Sequence, residues 1–303
     1  MLTLEQIKLN YSNYTIVGNL QTTITNIVQL SAGINSTDIA WCADKNKEQL
    51  LQLRQGTIIV STTTYAWLSM QHANVSSLNL IVVENARRAF LTIVQTFFTP
   101  PKTIGTISPS AYIHSSVIIN TTTCNIGHNV VIEANCIIGN NVEIGANTVL
   151  LEGTIIEDNV KIGCNNTIGG VGFGYEKDEN GNYELIPHIG NVHIGNGAEI
   201  GSNNCIDRAV LGATIIEKNV KIDNLVHIAH GVILRENCLI IANAMIGGST
   251  EIGKNTWVAP STSIMQKIKV GNDALIGMAA VVLKDVEDRS VMVGSPAKKI
   301  KTL

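Results

Sequence analysis

Aromatic rings are scarce in this chain: Phe, Trp and Tyr together supply only 4% of 303 residues. Globular cores normally draw much of their buried area from such rings. A narrow interior filled with Ile and Val fits this composition better. Charge is sparse as well, 15% against 45% hydrophobic residues, which indicates a well-packed body with a modest surface. A formal net charge of -3 offers no basic face for nucleic acid or an anionic membrane. No run of about 18 apolar residues occurs, which excludes a membrane-spanning helix, and Met1-Leu2-Thr3-Leu4-Glu5 is not a signal peptide. The six cysteines form no CxxC pair and no cluster with histidine. They read as free thiols of a cytoplasmic protein, with no metal site.

What is present is a period of six. Ile216, Ile222, Ile228, Leu234, Ile240, Ile246, Ile252, Val258, Ile264, Val270, Ile276 and Val282 keep strict register. Neither a helix nor a simple strand repeats at that interval. Three hexapeptides make a triangular coil of about 18 residues, with the aliphatics stacked inside at roughly 4.8 Å per coil. Cys136 and Cys238 fall at the inward-facing fifth position of their hexads, as small buried fillers. Asn140, Asn141, Asn147, Asn159, Asn219 and Asn255 fall at corners, where Asn tolerates the left-handed backbone of tight turns.

In chain order, residues 1–100 lack the hexads and read as a small α/β domain. Helices are expected over residues 2–8, 45–54 and 86–97, the last behind the cap Glu84-Asn85, and strands over 40–41, 57–60 and 78–83. Pro100-Pro101 marks a boundary. The solenoid is expected over 101–285 in roughly ten coils, with slips after Ile119 and near Gly212 and an insertion at 169–188. Long insertions on solenoids usually serve function, so Phe173 and Tyr175 are candidate substrate contacts. Residues 286–303 form a C-terminal tail.

These features resemble the left-handed β-helix acyltransferases, and more closely the UDP-3-O-acylglucosamine N-acyltransferases of lipid A synthesis. The matching segments are Ile81-Val82-Val83-Glu84-Asn85, Gly172-Phe173-Gly174-Tyr175, Ile186-Pro187-His188-Ile189-Gly190, Cys205-Ile206-Asp207-Arg208, Ile222-Asp223-Asn224 and Ile228-Ala229-His230, over residues 1 to about 265. The resemblance implies a mainly β protein, a left-handed parallel β-helix preceded by a small α/β domain. It also implies a homotrimer with its cleft between subunits, and a nucleotide-linked amino sugar as substrate. Three departures stand out. The chain closes on Val293-Gly294-Ser295-Pro296-Ala297-Lys298-Lys299-Ile300, which resembles acetyl-CoA-dependent amino-sugar acetyltransferases rather than a helical extension that shelters a long acyl chain. Lys267 stands near the place of a second active-site histidine. Trp41 and Lys47 replace the Phe and Tyr that would stack on uracil, leaving UDP and dTDP both open.

The chemistry centres on His227-Ile228-Ala229-His230-Gly231. Acylating an amine requires a base near neutral pKa, and imidazole fits. His230, on an outward corner, is the expected general base; His227 is a candidate substrate contact. Asp223 is the expected carboxylate that orients it, with Asp207 as runner-up and substrate contact, unless both simply cap corners. Gly248 lies one coil after His230, where related acetyltransferases use a backbone N–H as oxyanion donor. CoA is expected along Ala259, Gly277, Ala279 and Ala280, with Lys298 and Lys299 on its phosphates. His188 and His193 have no metal-like partners. The favoured reading is an N-acyltransferase moving a short acyl group, acetyl above all, from CoA to a dTDP- or UDP-linked amino sugar for surface polysaccharide. Two alternatives stand beside it: the lipid A N-acyltransferase with acyl carrier protein as donor, and a non-catalytic scaffold or lectin-like module.

Overall fold

The computed structural model describes residues 1–31, 33–71, 77–100 and 103–302. The chain divides into two compact units, Met1–Lys102 and Thr103–Leu303. Pro101, half of the expected boundary, lies outside the described residues. Among the described residues no helix is long and apolar enough to cross a membrane.

The N-terminal unit is a five-stranded sheet in the order Thr15–Val17, Asn79–Val83, Thr57–Ser61, Asp38–Trp41, Asn26–Ile27. All neighbours are parallel except the first pair. Successive strand residues alternate between two buried clusters: Ile39, Ile59 and Ile81 in one, Ala40, Ile58, Val60, Leu80 and Val82 in the other. Both faces are covered, so the strands read as unbroken apolar runs. Helix Leu4–Asn10 starts with a Thr3/Gln6 capping box. Helix Ala86–Ile93 starts at Asn85, whose side chain accepts the Arg88 N–H. The expected helix over 45–54 is a 3₁₀ segment, Asp44–Gln52.

Helix Thr62–Met70 had no place in the sequence reading. It opens on three threonines, poor helix formers, but Ser61 caps it by accepting the Thr64 N–H at 2.9 Å, and Asp44 accepts the Thr64 hydroxyl at 2.7 Å. Tertiary contact thus overrides propensity there.

The second unit is a left-handed parallel β-helix. Its three faces are parallel sheets whose strands pair residue i with residue i+18 wherever no insertion intervenes, as in Asn125↔Glu143 and His227↔Met245. One residue per strand points inward, and these aliphatics form a single continuous core. Cys136 and Cys238 are fully buried in it, and burial pushes the Cys238 thiol up to about 12. The fourth residue of the hexad turns each corner in the left-handed region: Asn141, Asn147, Asn159, Asn219 and Asn255 lie at φ 57–60°. Asn140 sits one residue earlier and is not left-handed; its N–H is capped by Asp158 instead, at 2.6 Å. Along one corner, Asn219, Asn237, Asn255 and Asp273 hydrogen-bond side chain to side chain in a ladder at 2.7–3.2 Å.

Two excursions depart from this plan. Residues in the insertion form an antiparallel hairpin, Tyr175–Lys177 with Tyr183–Leu185, closed by Asp178 accepting the N–H groups of Asn180 and Asn182. The expected tail is not loose. Ser290–Val293 adds a parallel rung after Leu275–Ile276, and Lys298–Thr302 folds back on it antiparallel.

Candidate active site

Each coil of the solenoid has three corners, and the sheets they join decide what they face. Lys221–Ile222 belongs to the ten-stranded sheet and His227–Ile228 to the nine-stranded sheet. Asp223 and His230 therefore occupy different corners despite lying seven residues apart. Asp223 caps its own corner: its carboxylate accepts the Asn224 N–H at 2.8 Å and the Ala242 N–H at 3.2 Å. It does not orient His230, and the corner-cap reading holds for it.

His230 shares a cavity of ≈ 340 Å³ with Asp207, His227, Phe173, Met245 and Gly248. Asp207, the runner-up carboxylate, comes to 3.7 Å from His227 Nε2. Burial raises the Asp207 carboxyl above its usual range, and His227 and His188 partly oppose that. Burial, with the positive charge that His188 and His227 can carry, holds His230 below the ordinary imidazole value. A base with that bias stays unprotonated at neutral pH.

Gly248 stacks one coil from His230 as the spacing predicts. A Cβ there would stand 2.7 Å from His230 Nε2, so only glycine leaves room for the ring. The third residue of several hexads has its N–H capped by a side chain, as at Asn140, Ser202 and Asn224. His230, Gly248 and Gln266 occupy that position on one corner, and their N–H groups have no hydrogen-bond partner among the described residues. A free N–H beside an unprotonated imidazole is the pair that acyl transfer needs.

The insertion supplies what the sequence reading missed. After the hairpin the chain returns through Ile186-Pro187 and buries His188 edge-on against His230, ring centroids 5.2 Å apart at 82°. Phe173, 87% exposed, reaches the cavity and packs on Tyr175 at 4.9 Å. From sequence alone His188 has no metal-like partner and no assigned role. Its signal was the segment Ile186-Pro187-His188-Ile189-Gly190, but nothing local tells that it folds under His230. No metal-like cluster of His, Cys, Asp and Glu occurs among the described residues.

The bacterial transferase hexapeptide (six repeats) family matches residues 122–152 and 135–170. UDP-3-O-acylglucosamine N-acyltransferase 2 of Legionella pneumophila (strain Paris) is 38% identical over 241 residues, covering 74% of this chain and 70% of that protein. The chain belongs to the UDP-3-O-acylglucosamine N-acyltransferase family. The same-named protein of Wolinella succinogenes is 38% identical over 148 residues, and there the chain spans less than half the relative's length, 46%. Among solved structures, UDP-N-acetylglucosamine acyltransferase from Campylobacter jejuni superposes with a TM-score of 0.58 at 26% identity, over 65% of this chain and 75% of that one.

Membership of the UDP-3-O-acylglucosamine N-acyltransferase family overturns the favoured sequence reading of an acetyl-CoA-dependent enzyme for dTDP- or UDP-amino sugars. All but one of the residues assigned to CoA make bonds within the chain. The N–H groups of Ala259, Gly277 and Ala279 donate to Ile276, Met292 and Pro260 at 2.8–3.0 Å, and that of Ala280 to Gly277. Lys299 is paired with Glu287 at 2.6 Å, while Lys298 is exposed on the return strand. Lys267 is a left-handed corner residue whose N–H donates to the Gly248 carbonyl at 2.8 Å. Trp41 belongs to the N-terminal unit, half-buried on the cluster of Ile39, Ile59 and Ile81; Lys47 lies over Trp67, 5.0 Å from its centroid.

Proposed function

We propose that this chain transfers an acyl group from an acyl carrier protein thioester to the amine of a UDP-3-O-acylglucosamine. The observation that carries the reading is the stacked pair His230 and Gly248, an imidazole biased toward its neutral form beside a free N–H. His230 takes a proton from the amine as its nitrogen attacks the thioester carbonyl. The Gly248 N–H receives the developing oxyanion; the C–N bond forms, the C–S bond breaks, and the leaving thiolate takes the proton from the imidazolium. Phe173, Tyr175, His227 and Asp207 are assigned to the acceptor. Trp41 is assigned to the base of the nucleotide, which residues 1–100 would recognise. The assembly proposed is a homotrimer.

The test is a donor and acceptor matrix with the purified chain. UDP-3-O-acylglucosamine with hydroxyacyl carrier protein should give N-acylated product, and light scattering should report three chains per particle. Transfer that needs neither the carrier protein nor the UDP-glucosamine acceptor would overturn the reading.

A further inference from the structure

A base works best when its second nitrogen is held, and His230 lacks the carboxylate that usually does this. Asp223 is on another corner, and Asp207 approaches His227. Behind His230 stands a second imidazole. His188 Nδ1 lies 2.7 Å from the Ile186 carbonyl oxygen. A carbonyl only accepts, so Nδ1 carries the proton and the neutral ring leaves Nε2 as a bare acceptor. That Nε2 is sealed from solvent with no partner, and so is His230 Nδ1. His188 is itself only 7% exposed.

The two orphaned nitrogens face one spot. A Cβ at Gly172 would stand 2.9 Å from His188 Nε2 and 2.9 Å from His230 Nδ1. Glycine at 172 is what permits the rings to close on each other. Two bare acceptors turned together would repel, whereas an acceptor and an N–H attract. We propose that His188 is the positioning residue for His230: its Nε2 accepts the His230 Nδ1–H. That fixes the tautomer in which the unprotonated Nε2 meets the cavity beside Gly248. The contact is open in the free protein and tightens when the acceptor binds, as catalytic hydrogen bonds often do. Burial, which lowers the proton affinity of His230, favours the same neutral ring. This inference rests on His230 being the base.

The test reads the tautomer directly. Histidine ¹⁵N–¹H correlation spectra of the whole chain, free and with UDP-3-O-acylglucosamine added, should show neutral His230 protonated at Nδ1. In His188→Phe, which keeps the ring but cannot accept, the proton should move to Nε2. Its kcat should then fall roughly 10- to 100-fold while KM for the acceptor stays within about twofold. His188→Gln, whose amide oxygen accepts, should recover most of the rate and the original tautomer. His230 protonated at Nε2 in the wild-type chain, with and without acceptor, would overturn the proposal, and that spectrum decides even if the Phe variant does not fold. An unchanged tautomer and rate in a folded His188→Phe would overturn it too. Near-normal turnover by His230→Ala would instead remove the base assignment, whatever the tautomer.

Discussion

Two corners of the same coil share one backbone design and differ in what their side chains do. On the Asp223 corner four successive donors are answered: the N–H of Cys164 is taken by Ser202, that of Ser202 by Asn224, and those of Asn224 and Ala242 by Asp223, at 2.7–3.2 Å. On the His230 corner that chain of caps lapses at His230, Gly248 and Gln266. Both corners turn through a left-handed residue, Leu225 on one and Ser249 on the next coil of the other. Capped corners hold the solenoid together. The His230 corner leaves three N–H groups beside the cavity free among the described residues, open to something that is not protein.

The sharpest way to break this comparison is His230→Ala, which should lower kcat by about two to four orders of magnitude, with acceptor KM little changed in steady-state kinetics. Gly248→Ala comes next. Its Cβ would need to occupy a point 2.7 Å from His230 Nε2, so the ring must swing away. A fall in kcat of about a hundredfold is expected with an unchanged melting temperature. A variant that melts early instead would mark Gly248 as a structural turn.

A smaller effect should appear in pH profiles. The base acts unprotonated, and its folded pKa is held below the ordinary value. The acid limb of kcat/KM should therefore fall below about pH 6.5. His227→Ala removes one of the groups that lower it, so the limb should move to higher pH; movement in the other direction would contradict the electrostatics. The smallest effect on catalysis belongs to the other corner. Asp223→Ala frees the exposed Asn224 N–H and the part-buried Ala242 N–H and should cost about 1 kcal/mol of stability, read by denaturant titration, with kcat unaltered. A large loss of kcat in a stable Asp223→Ala would return that carboxylate to the active site.

Much of the fold was legible because its causes are local. An aliphatic at every sixth position and Asn at the corners report the coil directly, and both Cys136 and Cys238 fall where the period places them. The site was legible in part. His230 and Gly248 share a corner because the spacing between them is one whole coil. Asp223 was misjudged because seven residues on a triangular coil lead round an edge, so closeness in sequence means separation in space. Lys298 and Lys299 were assigned to CoA by likeness of position; Lys299 pairs with Glu287 and Lys298 is exposed.

The amino-acid sequence by itself determined the period, the inward row of branched aliphatics and the histidine-bearing corner, since each follows from the chemistry of residues one hexad or one coil apart. Only the tertiary structure decided what stands behind His230. Residues 169–188 leave the solenoid and return as a hairpin, and where the returning chain lands depends on packing that no period encodes. It lands with His188 buried against His230 because Gly172 and Gly174, lacking side chains, leave a space that fits an imidazole ring.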